Sequence, residues 1–339
     1  MRAVVHQRYG AAEHVLSVGE VDAPRPADNE VLLRVHAASM HPDIWHVVEG
    51  VPMALRLFGN GVRRPIRLVP GTDVAGRVEA VGKAVTRLRV GDDVFGETVA
   101  LGWMNGGSYA EYAVAPADFL VTRPANITAE QASAIPTAGF IAISNLGMAR
   151  RFDGQRVLIN GAGGCVGMLS IQIVKARGGR VTAVDCAARL DLIRSLGADE
   201  TIDYRLYDIG RSDQRFDFIL DVASTLSHGV YKHLLTPDGV YVPIGHAQYG
   251  HARGRMGGRI VGSLPYFVSR LLVSALNPRT RHASEFPTKL QAMTALRELI
   301  DAGQLTPVVA RRYGLADVAT AMKAMEDETI QGRIVIVPA

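Results

Sequence analysis

The segment Arg156-Val157-Leu158-Ile159-Asn160 is a short apolar run of strand type, and it leads directly into Gly161-Ala162-Gly163-Gly164-Cys165-Val166-Gly167. After the glycines, Leu169, Ile171, Ile173, Val174 and Ala176 recur at helical spacing. Strand, glycine turn and helix in immediate succession form the unit that lets a pyrophosphate approach backbone N–H groups at a helix N-terminus, where the helix dipole favours negative charge. The glycines at 161, 164 and 167, with Gly163 beside them, make a variant of the G-x-G-x-x-G fingerprint. Arg180 to Val184 reads as the next strand, and Asp185 stands at its end, about 20 residues past the turn, where a carboxylate can bind ribose hydroxyls. A plain tight turn with a solvated Asp185 is the alternative. The candidate cofactor residues are therefore Gly161, Gly163, Gly164, Cys165, Val166, Gly167 and Asp185. Cys186, Arg189 and Tyr204 join them at the ribose end, and Val222, Ile244 and Gly245 join them at the ends of two later strands.

Around this unit the chain divides by pattern. Residues 1 to about 122 carry short strand-like runs, Arg2–Val5, Glu30–Val35 and Val78–Val81, punctuated by prolines and glycines. From about 129, helices and strands alternate: a helix over Glu130–Met148, the strand at 156, the helix after Gly167, the strand at 180, and a helix over Leu190–Leu196. Strands follow at Phe216–Asp221 and Gly239–Ile244. Such alternation predicts a parallel, doubly wound α/β sheet. The closing strand, Gly332–Val337, is expected to return to the first domain. With 339 residues the chain exceeds what one core usually holds, so two domains are expected.

No leader-like charged and apolar sequence opens the chain, and no uncharged run is long enough to span a bilayer, so a cytoplasmic protein without a membrane partner is expected. Cys165 and Cys186 are the only cysteines, which excludes a disulfide framework and a four-cysteine zinc lobe. The formal charge of +4 suits an anionic cofactor better than a nucleic-acid groove.

Gly91-Asp92-Asp93-Val94-Phe95-Gly96, Gly107-Ser108-Tyr109-Ala110-Glu111-Tyr112, and Leu196-Gly197-Ala198-Asp199 followed by Ile202-Asp203-Tyr204 resemble the medium-chain dehydrogenase/reductase superfamily. These motifs occur in the same order over nearly the whole chain. Within the superfamily the chain is most similar to the zinc-independent quinone oxidoreductases, including the reticulon-interacting mitochondrial oxidoreductases. The resemblance implies a GroES-like, mainly β catalytic domain over 1–122, a Rossmann cofactor domain over 123–302, and a return to the catalytic domain over 303–339. Nicotinamide and substrate would meet in the cleft between the two domains. It also implies a small-molecule substrate and a homodimer.

Thr72-Asp73 stands where zinc alcohol dehydrogenases of the superfamily carry the His-Glu of their metal site, and Ser39 and Asn160 stand near where metal-binding cysteines are expected. A catalytic zinc needs three N, S or O ligands and an open position. His36, His41 and His46, with Asp43 among them, could bind a metal, but their five-residue spacings suit neither helix nor strand, and a substrate-facing loop is expected instead. No zinc is expected. Relatives usually show Asn-Pro-x-Asp where this chain has His41-Pro42-Asp43-Ile44, and often a tyrosine near Met53, a proposed proton donor in enoyl reductases. His41, Asp43 and His46 are the titratable groups left on the loop from 39 to 53, and imidazole suits proton transfer near neutral pH. Packing of His46 and Trp45 beneath the loop is the alternative role. At Ile141 relatives commonly carry a threonine near the nicotinamide.

Without zinc to polarise an alcohol, hydride delivery to an electron-poor carbon of an enone or quinone is the natural chemistry. The cofactor expected is NAD(P)H. Asp185 would repel a 2′-phosphate and favours NADH, while Arg189 and Tyr204 could meet that phosphate if Asp185 turned away. A cofactor-binding interaction protein of crystallin type is the alternative function. Arg253, Arg255 and Arg259 precede the broken apolar run Ile260–Leu276, which reads as a cleft wall or subunit interface, with a membrane-surface helix as the alternative. Arg56, Arg63, Arg64 and Arg67 form a second basic group, either a solvated face or a site for an acidic ligand.

Overall fold

The computed structural model describes residues 1–57, 59–100, 104–244, 258–262, 265, 268–269, 272, 279–280, 286–325 and 330–338. Its strands are β1 Arg2–Val5, β2 Ser17–Glu20, β3 Glu30–Met40, β4 Asp73–Val81, β5 Asp93–Glu97, β6 Tyr112–Pro116 and β7 Leu120–Thr122, then β8 Arg156–Asn160, β9 Arg180–Asp185, β10 Glu200–Asp203, β11 Phe216–Asp221, β12 Leu235–Pro243, β13 Val309–Gly314 and β14 Arg333–Val337. β1 and β2 form a hairpin. The catalytic sheet runs β13-β14-β3-β4-β5-β7, with β6 also paired to β3, and β14 docks antiparallel on β3 with Val335 opposite Ser39. The chain's last described strand thus completes a sheet begun by its first hundred residues.

The second sheet is wholly parallel, in the order β10-β9-β8-β11-β12. β8 and β11 are buried almost throughout rather than on alternate residues, as a parallel sheet covered on both faces demands. Strand order reverses between β8 and β11, and a crevice for ligand opens at the carboxyl ends of the strands at such a switch point. The fold is therefore a GroES-like, mixed-sheet domain joined to a Rossmann domain.

One apolar core runs through both units. Ala75, Phe95 and Val121 of the catalytic sheet belong to the same buried cluster as Ile159, Ile171 and Val174 of the Rossmann unit and as Met293 and Leu296 of the helix Lys289–Asp301. The helix Pro136–Leu146 packs on the helix Cys165–Ala176 and on the helix Lys289–Asp301, so it ties the catalytic sheet to the cofactor domain.

Three expectations are corrected. The single helix expected over Glu130–Met148 is two, Ala129–Ser133 and Pro136–Leu146, because Pro136 lacks an N–H and is accommodated only in the first turn of a new helix. The first of them starts on a capping box in which Thr128 and Gln131 satisfy each other's backbone N–H. Ser39 and Met40 are not in a loop but at the end of β3. β4 starts at Asp73, five residues before its apolar core was legible, which places Thr72 at its mouth.

Candidate active site

The glycine turn is built for close approach. Gly161 takes φ 82°, a left-handed conformation natural to glycine, and its N–H binds the carbonyl of Val184 on the neighbouring strand. A Cβ at Gly167 would lie 2.5 Å from the Gly161 carbonyl oxygen and 2.6 Å from Ala162 Cα, so this glycine lets the helix press onto the turn. Gly164 is different. Its φ is −75°, and a Cβ there would meet nothing nearer than 3.6 Å. Gly164 is also the N-cap of the helix Cys165–Ala176 and offers no side-chain cap, so the first-turn N–H groups of Cys165, Val166 and Gly167 remain for an anion. An open approach over uncapped donors fits a dinucleotide pyrophosphate.

At the ribose end, Asp185 is buried, and its carboxylate accepts from the Gly163 N–H at 2.7 Å and the Cys186 N–H at 2.9 Å. Arg189 Nη1 stands 3.4 Å from the same carboxylate, one helical turn on, and the Arg189 side chain lies over Gly163. Cys186 is buried as the N-cap of the next helix, and burial together with Asp185 pushes its thiol pKa up. Tyr204 is about half exposed and binds the Asp185 carbonyl through its N–H. Asp185 and Arg189 are thus held together beside the turn, the acid inward and the base above it.

The opposite side of the crevice is braced by a network the sequence did not reveal. Asp221, fully buried at the end of β11, accepts from Asn160 Nδ2 at 2.7 Å, from Tyr241 Oη at 2.8 Å and from the Leu226 N–H. Val222 donates its N–H to the Asn160 carbonyl and Ile244 to the Asp221 carbonyl, which fixes the two strand ends lining the switch point. Ser224, just beyond, holds a positive φ of 54°. Gly245 lies outside the described residues. Asn160, taken from the resemblance as standing near a metal-ligand position, is here a structural partner of Asp221 and Thr225 in the Rossmann sheet.

In the catalytic domain the structure brings His41 and Asp43 together but not His46. His41 Nε2 lies 2.9 Å from Thr72 Oγ1, and its Nδ1 lies 3.3 Å from the Asp43 N–H and 3.6 Å from Asp43 Oδ2. An Nδ1 that accepts from the Asp43 N–H leaves the proton on Nε2, directed at Thr72. Burial lowers the His41 pKa below its ordinary value, against the opposing pull of Asp43 and Asp73, so the imidazole is neutral at pH 7. His46 binds the Val51 carbonyl through Nδ1 at 2.6 Å, bracing the turn after the helix Ile44–Glu49. His36 lies on β3, where burial lowers its pKa, with Asp93 and the arginines 77, 34 and 123 as its charged neighbours.

Next to Thr72, fully buried Asp73 accepts from Ser39 Oγ at 2.8 Å, from Arg333 Nη2 at 3.2 Å, and from both the N–H and hydroxyl of Thr137. Burial works to lower the Arg333 pKa, but nearby acidic groups, Asp73 and Asp43 among them, raise it on balance, so the buried guanidinium stays charged beside Asp73. Glu97, opposite Asp73 across the β4–β5 ladder, is buried and pairs with Lys289 Nζ, which also sits 3.8 Å over the Phe140 ring. Burial pushes the Glu97 carboxyl up to about 7, with Lys289 opposing and Asp73 assisting. Asp73, Arg333, Glu97 and Lys289 carry no local signal in the sequence, since their side-chain partners lie 34 to 260 residues away.

These donors do not fit a catalytic zinc. Thr72 offers a hydroxyl where a histidine would bind, Ser39 is committed to Asp73, and among the described residues no group of three His, Cys, Asp or Glu side chains is placed to share a metal ion.

Two family models match the chain: an alcohol dehydrogenase GroES-like domain over residues 27–125 and a zinc-binding dehydrogenase domain over 196–336. The chain is 30% identical to the quinone-oxidoreductase QR1, chloroplastic, of Triphysaria versicolor, an alignment covering 100% of this chain and 98% of that protein. It is 28% identical to the mitochondrial NAD(P)H oxidoreductase RTN4IP1 of Mus musculus, over 91% of this chain and 81% of the relative. The quinone oxidoreductase structure from Coxiella burnetii, 24% identical, superposes with a TM-score of 0.80 over 100% of this chain and 99% of that one, a likeness of fold. With both domain models, the glycine turn and the full-length relatives in agreement, the chain belongs to the medium-chain dehydrogenase/reductase superfamily, in the branch of the quinone oxidoreductases, and is an oxidoreductase enzyme that uses a nicotinamide cofactor.

Proposed function

We propose that this oxidoreductase reduces an α,β-unsaturated carbonyl or a quinone without metal, with NADH as its preferred donor. The single observation that carries the mechanism is the line of groups Thr72 Oγ1, His41 Nε2 and Nδ1, and Asp43, which runs from the domain's buried interior to a half-buried carboxylate. A dihydronicotinamide held at the glycine turn would supply a hydride to the electron-poor carbon, which leaves the substrate oxygen in need of one proton. Thr72 gives its hydroxyl proton to that oxygen and takes the Nε2 proton of His41. His41 takes a proton from solvent at Nδ1, beside Asp43, as it gives up the one on Nε2, and between turnovers the ring returns to its Nε2–H tautomer by exchange with solvent. One proton enters from solvent and one leaves to substrate, so no metal is required to balance charge.

Asp73 positions this line. It holds Ser39, Arg333 and Thr137 around its carboxylate, which fixes the start of β4 and hence the Thr72 hydroxyl. Removing one member of such a buried network leaves the others unpaired. The glycine turn would hold the pyrophosphate, and Asp185 would exchange its bond to the Gly163 N–H for the ribose hydroxyls, leaving that N–H to the phosphate. The quinone oxidoreductase names of its relatives support the substrate class.

The test is cofactor oxidation, followed by nicotinamide absorbance, with a panel of short and long-chain enones and quinones. Turnover with members of either class supports the proposal. Tight binding of NADH without turnover of any of them would return the chain to a cofactor-binding interaction role.

A further inference from the structure

Charge is distributed very unevenly along the chain. Residues 50–72 and 239–284 together contain ten arginines and no lysine, aspartate or glutamate. The rest of the chain holds 27 basic against 33 acidic residues and so carries −6, although the whole carries +4. The structure brings described parts of these two segments together: the helical turn Gly258–Val261 packs on the 3-10 helix Met53–Leu57, and Gly262 lies against Pro52. On the outside of this junction Met53, Leu57, Val62, Ile66 and Leu68 are exposed, Leu57 and Ile66 to 71% each, with Arg63, Arg64 and Arg67 exposed among them. Ile260 and Val261 extend the apolar surface, and Val268 and Leu272 are exposed as well. Arg253 and Arg255 lie outside the described residues, and Arg259 enters only through its backbone.

We infer that this face is a docking surface for an anionic lipid membrane, a partner independent of the reaction the enzyme performs. Large aliphatic side chains in water are unfavourable singly and more so as a contiguous patch. Interspersed arginines, with no acidic residue in either segment, make that patch a poor protein core but a good match to a headgroup layer, where aliphatic side chains enter the acyl boundary and guanidinium groups pair with lipid phosphates. A second copy of the chain would set arginines against arginines. A nucleic acid would satisfy the arginines, but the described exposed apolar side chains of the face are all aliphatic or thioether and offer no ring for base stacking. No described helix is long and apolar enough to cross a membrane, so the contact is with the surface. It departs from the expectation of no membrane partner, because folding sets a second basic and apolar segment beside the broken run after residue 260.

The test uses the intact protein and sedimentation with vesicles of phosphatidylcholine alone or with phosphatidylglycerol. Binding is expected only to the anionic vesicles and should weaken with added salt. The triple variant R63Q/R64Q/R67Q should lower vesicle affinity by about tenfold or more. L57S/I66S should lower it by roughly tenfold at unchanged charge. None of these side chains touches the glycine turn or the Thr72–His41 pair, so NADH titration and the thermal transition report that the variants are folded and should not move. Equal binding to both vesicle types, or no loss in the folded variants, overturns the inference. So does displacement of the protein from vesicles by single-stranded RNA at equal phosphate, or a change in oligomeric state in the variants.

Discussion

The His41 imidazole and the Thr72 hydroxyl meet at 2.9 Å, joining the residue after β3 to the residue before β4 inside the catalytic domain. His41 stands where the resemblance places a loop asparagine and Thr72 where it places a zinc-binding imidazole, and in this chain the two side chains share one hydrogen bond.

Thr72→Val should lower kcat by about a hundredfold, and His41→Asn by a similar factor, because each removes a link in proton delivery. Affinity for the cofactor should stay the same, since neither side chain touches the glycine turn. Stopped-flow single-turnover rates beside fluorescence titration would separate the two effects, and a loss confined to binding would count against the relay.

The acid limb of the rate should lie below the ordinary histidine value near 6.5, since burial lowers the His41 pKa and the relay needs the neutral ring. Asp43 is the leading charge that opposes that lowering. In Asp43→Asn the limb should therefore move to still lower pH. A shift toward higher pH would show that Asp43 does not act on His41.

Gly164→Ile should cost at least about a hundredfold in dinucleotide affinity by blocking backbone approach, while the thermal transition changes little, because the site is open to 3.6 Å. Gly167→Val should instead destabilise the fold, since its Cβ would fall 2.5 Å from the Gly161 oxygen. Calorimetry and cofactor titration on both variants make the comparison.

Wild-type enzyme should prefer NADH by roughly tenfold, about 1.4 kcal/mol of discrimination. Asp185→Ser should erase that preference, because the carboxylate that would repel a 2′-phosphate goes while Arg189, within 3.4 Å of it, is freed. Competitive titration with the two cofactors decides the matter, and a wild-type preference for NADPH would show the carboxylate turned away.

Glu97 is raised to about 7 by burial, so it contributes stability that is present below its ordinary value of 4.5 and lost as pH rises through about 7. Lys289→Met removes the opposing cation and raises that carboxyl further. The variant should lose about 3 kcal/mol at pH 8 and distinctly less at pH 5, where Glu97 takes up a proton. Urea unfolding at the two pH values would show it. An equal loss at both would mean that the pair is held by packing alone.

What was legible in the sequence was local. Strand, turn and helix at 156–176 follow from apolar periodicity and glycine placement within twenty residues, and Asp185 follows from its distance to the turn. Pro136 starts a helix, but apolar periodicity continues on both sides of it, so the sequence pattern alone does not mark the break. The network around Thr72 is assembled from Ser39, Asp73, Thr137 and Arg333, four segments joined only by folding, so the sequence could offer His41 and Asp43 as titratable candidates but not the hydroxyl that His41 meets. His46 shared their loop and differs in that its imidazole holds the Val51 carbonyl. The exposed patch at 53–68 was invisible for the same reason, since single apolar residues in a loop mean nothing until their burial is known.

Hydride transfer to carbon with protonation from solvent is tested most directly by isotope. The enzyme is incubated with an enone and with cofactor deuterated at the transferable position, in ordinary water, and the product is examined by NMR. The account predicts one deuterium at the β-carbon and an ordinary hydrogen at the α-carbon, with a rate unchanged by exhaustive chelation. Cofactor bound but no deuterated product from any enone or quinone, or activity lost on chelation and restored by zinc, would contradict it.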